Sequence, residues 1–314
     1  MGQKARINLH WCGACGGNRG VLRGTFVLTV LMMLSTNAWG QNDWVRLEGL
    51  VPQNINSKVV ADDYARISQT LAPDIPVDRS PLTVTYFTKR ADQSLQYWLP
   101  EWGGGGALGA DQIIVAVDGA GFPHNDLYQT TLHELTHIAI RRIVDTVAVP
   151  RWFHEGAALQ LSGELSFREQ VVLSRAIFSG SLMDLRAIDT INSAGPYRAR
   201  LAYAQSHQAI RFLIETYGFE SLALVVQATR RTGSFRDALQ QVVGITVDEM
   251  NSLTLQFLRQ RFGTIAWLAD TYLLWSGIAV LFLIAYVVTL IRRRLQAVAM
   301  EREEQFEEER GDRL

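Results

Sequence analysis

The chain is expected to be an α+β protein. A small mixed sheet comes first, then a wholly helical lobe, then one membrane-spanning helix at the C-terminal end. Three observations predict this. Strand-like runs such as Leu82-Thr-Val-Thr-Tyr-Phe-Thr and Gln112-Ile-Ile-Val-Ala-Val stand ahead of residue 127, while every later segment has helical spacing. A helix begins at Leu127 and carries two histidines four residues apart. Residues 271–291 carry no charge at all.

The chain has 314 residues, 48% hydrophobic and 19% charged, with a net charge of −1. That is enough for one good core or two small ones. It lacks the basic excess that nucleic-acid binding needs, so no nucleic-acid partner is expected. Residues 1–40 have the pattern of an export signal. Arg19 and Arg23 flank an apolar run from Thr25 to Leu34 that is too short to cross a bilayer, and Ala38-Trp39-Gly40 offers small residues for cleavage. The only cysteines, Cys12 and Cys15, lie in this leader. A lone CxxC pair is weak evidence for a metal or redox site. If the leader is removed, no disulfide supports the fold.

A domain is expected over residues 41–263. Asp62 to Leu71 suits a short amphipathic helix, and Leu82 to Thr88 alternates as a strand does. Trp102 to Gly109 contains four consecutive glycines and suits a flexible loop. It lacks the Lys and Ser/Thr of a phosphate-binding loop. Gln112 to Val117 is a strand.

The next helix holds His133-Glu134-Leu135-Thr136-His137. Residues four apart on a helix point the same way, so His133 and His137 can share one Zn²⁺ ion. Glu134 sits about 100° away, where it can reach a water at the ion without ligating the ion itself. Zinc lowers the pKa of such a water toward about 7, and a carboxylate beside it can take the proton. Leu127, Leu132, Leu135, Ile138 and Ala139 supply the apolar stripe of this helix. Asn125 or Asp126 can cap its start, and Arg141 and Arg142 suit its negative end.

A catalytic zinc needs a third protein ligand and an open position. Pro150-Arg-Trp-Phe-His-Glu-Gly-Ala-Ala opens a second helix and offers two adjacent candidates, His154 and Glu155, which cannot both face the ion. HExxH, a return of this length and Trp152-x-x-Glu155-Gly156-x-Ala158 together resemble the gluzincin metallopeptidases. The chain looks most like the peptidase MA-like group related to thermolysin and the zinc aminopeptidases. The resemblance implies a zincin-like domain, Glu155 as third ligand and Glu134 as general base. It also implies that a strand just before the HExxH helix forms the sheet edge over the cleft, where an extended peptide can pair. Ile113 to Val117 is the candidate, with an internal core strand as the alternative. In such relatives an acidic residue one turn past the ligand Glu often supports a metal-bound His. Here Leu159 stands at that place, which leaves the supporting partner open.

Helices are expected at Phe167–Phe178, Leu201–Tyr217, Phe219–Arg230, Phe235–Val243 and Val247–Phe262, with Gly163 and Gly218 as breaks. Tyr203 and His207 share a helix face, and either is a candidate for stabilising an oxyanion. Arg141, Arg142 and Arg151 are candidates for a substrate carboxylate or for plain helix-end complementation.

The membrane helix is expected over 267–291, with Trp267, Tyr272 and Trp275 near one interface. Arg292, Arg293 and Arg294 follow, so the charged tail 292–314 is expected in the cytoplasm and the domain outside it, in a bacterial periplasm. The whole reads as a single-pass, membrane-tethered zinc metallopeptidase acting on peptide or protein substrates. The alternative is an inactive zinc-binding or assembly module of the same fold, against which the intact Glu134 argues.

Overall fold

The computed structural model describes residues 44–311, apart from 100–102, 119–125, 164–166, 194 and 270. The expected leader, both cysteines and Asn125 lie outside the described residues. Among the described residues, four strands form one mixed sheet: β1 (Val45–Gly49), β2 (Leu82–Phe87), β3 (Gly105–Leu108) and β4 (Gln112–Ala116). Their order is β1-β2-β4-β3. The first three strands in that order run parallel, and β3 runs antiparallel to β4 at the rim.

Two expectations are corrected here. The strand expected at Ile113–Val117 is interior, with β2 on one side and β3 on the other. Ile113 and Val115 enter the main core, while Ile114 and Ala116 pack with Phe87 and Leu99 on the opposite face. A strand covered on both faces shows a continuous apolar run. The edge is instead made by the glycine run expected to be a flexible loop. It becomes strand because the ladder of β4 holds it, not because its own residues favour extension.

Helix α1 (Ser57–Leu71) starts five residues earlier than expected, because the Asn56 side chain accepts the Val59 N–H at 3.0 Å. A single turn, α2 (Gln93–Gln96), precedes β3. Helix α3 (Leu127–Val144) is capped by Asp126, which accepts from Tyr128 and Gln129 N–H at 2.8 and 3.0 Å. It packs on α1, on the sheet and on two later helices. It is therefore buried all round from Thr130 to Ile140, not only along its apolar stripe. Its polar residues must then be satisfied internally. Thr131 Oγ1 and the Tyr86 hydroxyl are 3.0 Å apart, and Thr136 Oγ1 donates to the Leu132 carbonyl.

Pro150 opens α4 (Arg151–Ser162), and Gly163 closes it with φ at 85°. The lobe beyond comprises α5 (Phe167–Phe178), a 3-10 segment (Leu185–Ser193), α6 (Pro196–Tyr217), α7 (Glu220–Thr232), α8 (Phe235–Val243) and α9 (Val247–Ala269). No strand interrupts it among the described residues. Last comes α10 (Thr271–Gly311), which runs on well past the expected span. Its stretch Leu274–Met300 is long and apolar enough to cross a membrane, with a mean hydropathy of 2.4 over its apolar 18-residue window. Leu281 and Phe282 on this stretch are 67% and 73% exposed.

A close helix contact sets the position of the site. A Cβ on Gly156 would stand 2.2 Å from the Ser206 carbonyl oxygen, so α4 meets the backbone of α6 directly. Gly156→Ala should therefore force the two helices apart. Overpacking of this kind costs about 1–3 kcal/mol, so the melting temperature should fall by about 2–8 °C. An unchanged melting temperature would show that this backbone approach is not tight.

Candidate metal centre

His133 and His137 project one turn apart from α3, and Glu155 comes from the start of the second turn of α4. All three are nearly sealed from solvent, at 2%, 8% and 6% exposure. Glu155 Oε2 lies 3.3 Å from His133 Nε2 and 3.4 Å from His137 Nε2. One donor atom from each of the three falls within 4.8 Å of the others. Ligands about 2.0–2.2 Å from a tetrahedral ion stand roughly 3.3–3.6 Å from one another. The two His–Glu spacings match that edge. The donor set, two imidazoles and a carboxylate, suits a borderline divalent ion. The residues fit a metal.

The electrostatics agree. Burial would raise the Glu155 carboxyl, but His137 and His133 override it and hold its pKa well below the usual range. Burial would likewise lower His137, but the Glu155 carboxylate keeps it above its ordinary value. Arg151 Nε donates to Glu155 Oε1 at 3.1 Å, one turn away on the same helix. This leaves Oε2 aimed at the imidazoles. The Arg151 backbone N–H is itself capped by Asp189 Oδ1 at 2.7 Å, since Pro150 has no capping side chain.

Glu134 sits beside the trio and is 6% exposed. Burial pushes its carboxyl up to about 7, with His137 opposing and Glu155 adding. A group poised near neutrality can accept a proton and give it back. His154 lies on the far side of His137, with the two Nδ1 atoms 3.4 Å apart. Burial and the adjacent His137 hold its pKa down at about 3, so its ring is neutral.

The two oxyanion candidates separate. Tyr203 lines the cleft and hydrogen-bonds Arg151, and burial keeps its hydroxyl protonated, well above the ordinary value. His207 faces α5 instead, with Nδ1 3.0 Å from Glu169 Oε2, and it is not among the cleft-lining residues. The arginines also have specific tasks. Arg141 Nη1 donates to the Ala107 and Gly109 carbonyls at 2.8 and 2.7 Å. Arg142 holds the carbonyls of Ala110 and Pro81 at 2.7 and 2.8 Å and lies over the Tyr64 ring. The sequence reading missed the bond from Arg151 to Glu155, although the i,i+4 spacing signalled it. It also missed Gly105, where a Cβ would stand 2.8 Å from Thr130 Cγ2 and 3.1 Å from Glu134 Oε1.

The cleft over these groups has a volume of about 500 Å³. One wall is Trp98, Leu99 and the β3 edge, and another is Val147 to Val149. Two helices bringing His, His and Glu together beneath the rim of a small mixed sheet make a metallopeptidase-like fold. The profile of the peptidase MA superfamily matches residues 70–260, and the chain belongs to that superfamily. No curated protein and no solved structure matches it.

The ligand geometry generates one comparison. Glu155→Ala should weaken divalent-metal affinity by more than a hundredfold, read by zinc titration against a competing chelator. His154→Ala, touching only the far edge of His137, should cost no more than about tenfold. The reverse order would exchange the two assignments.

Proposed function

We propose that this protein is a zinc-dependent metallopeptidase, tethered to a membrane by α10, that hydrolyses peptide bonds outside the cytoplasm. The observation that carries this is the convergence of His133, His137 and Glu155 with Glu134 beside them, all opening on one cleft. In this reading residues 1–40 are an export signal and residues 41–263 form the catalytic domain. Residues 267–291 span the membrane, and 292–314 form a cytoplasmic tail.

His133, His137 and Glu155 would hold the ion. When bound, zinc supplies Lewis acidity, lowering the pKa of water and polarising a carbonyl. Glu134 takes the proton of the attacking water, for which its near-neutral pKa suits it. It then hands that proton to the leaving amine. Arg151 keeps one oxygen of Glu155 occupied, so the other stays with the imidazoles. Tyr203, protonated and held by Arg151, is the donor for charge developing on the substrate oxygen. The rim strand β3 holds the peptide extended beside these groups. His207, paired with Glu169, keeps α5 on α6 rather than entering the reaction.

Cleavage of casein and of short peptides should be abolished by a chelator and restored by zinc. Glu134→Gln should bind zinc as the wild type does and lose at least a hundredfold in kcat. Retained turnover in this variant removes Glu134 from the role of base. Tyr203→Phe should lower kcat by about 10²–10³ with KM little changed. An effect confined to KM would make Tyr203 a binding residue only.

A further inference from the structure

A strand at the rim of a cleft offers its outward backbone groups to whatever lies beside it. In an antiparallel pair, residues bonded to the partner alternate with residues whose N–H and C=O point away. Gly106 stands opposite Ile114 and Leu108 opposite Gln112, and the Ala116 N–H donates to the Gly104 carbonyl at 2.9 Å. So Gly104, Gly106 and Leu108 turn toward β4, and Gly105 and Ala107 turn outward. At Ala107 the outward groups are already engaged. Its carbonyl accepts from Arg141 Nη1 at 2.8 Å, and its N–H bears on the Glu134 carboxylate. The next carbonyls along, of Gly109 and Ala110, are taken by Arg141 and Arg142 at 2.7 Å each. On the other side, Gly103 and Gly105 line the cleft and carry no side chains of their own.

Glu134 marks where the reacting bond lies, and it sits at the boundary between these stretches. A Cβ on Gly105 would stand 3.1 Å from its Oε1. We propose that Arg141 ends the usable strand edge at Ala107, so a bound peptide pairs with β3 on one side of the reacting bond only. The proposal rests on the peptidase reading above. On the glycine side every second added residue gains a pair of main-chain hydrogen bonds. On the arginine side it meets carbonyls already occupied and a guanidinium already committed. The substrate that fits is a peptide bond close to a chain end, with the longer part of the chain lying along Gly103–Gly105.

Peptide hydroxamates test this without requiring turnover. One series carries zero to four alanines on the amino side of the zinc-binding group, the other zero to four on the carboxyl side. Affinities are measured by calorimetry on the zinc-loaded full chain. One series should tighten about twenty-fivefold over the first two residues, as two net hydrogen bonds per pair of residues imply. The other should stay within about twofold. Arg141→Met, which keeps the stem and removes the donors, should make the flat series gain about threefold with length. Tightening in both wild-type series, or in neither, overturns the one-sided edge, and this comparison stands even where the variant does not fold. A flat series that stays flat in folded Arg141→Met overturns the role of Arg141. If not even acetohydroxamate binds the zinc-loaded protein, the metal reading itself fails and takes the proposal with it.

Discussion

The Glu155 carboxylate, buried between two imidazoles and a guanidinium, is the interaction the rest of the structure depends on. An isolated carboxylate at this depth would be costly, and it is tolerated only because each oxygen has a partner. That requirement explains much of the surrounding architecture. Helix α4 must lie against α3 to bring the carboxylate to the imidazoles. It must also press on α6 closely enough that only glycine fits at position 156. Helix α6 in turn brings Tyr203 to the cleft, where it meets the same guanidinium. The clustered imidazoles and carboxylate, the arginine beside them and the phenol are thus parts of one packed unit, and a shift in any helix moves all of them.

The same logic links the sheet to the site. Arg141 and Arg142 lie at the end of α3, and helix-end complementation would have been reason enough for their charge. They do more, reaching across to backbone carbonyls of β3, of the turn after it and of the residue before β2. The rim strand is therefore tied to the very helix that carries His133, Glu134 and His137. Its glycines let the rim approach that helix until no room remains for a Cβ at Gly105. A strand with few side chains of its own to pack is kept in place by its neighbours.

Much of the helical part was legible from residue order. Phe167–Phe178 and Phe235–Val243 carry their boundaries in local patterns, and Pro150 and Gly163 punctuate α4 where expected. The start of α1 was not legible, because Asn56 caps it well ahead of the strongest periodicity. Strand β3 was illegible for a deeper reason. Its two glycines, the end of a run of four, have no alternation and no strand propensity, and only the pairing partner makes them extended. Burial of α3 on all sides also escaped an amphipathic reading, since its threonines bond within the helix and to Tyr86.

Residue order alone determined the histidine pair, its neighbouring acid and the apolar terminal stretch, because helix pitch and bilayer thickness are local rules that need no partner. It also narrowed the third donor to two adjacent residues. Tertiary structure set those two apart, placing Glu155 against both imidazoles and His154 against the outer edge of one. It decided as well that Tyr203 reaches the cleft while His207 pairs with Glu169. These outcomes follow from how α4 and α6 are rotated and how closely they approach. Rotation and approach are set by packing between segments far apart in the chain, which no local pattern encodes.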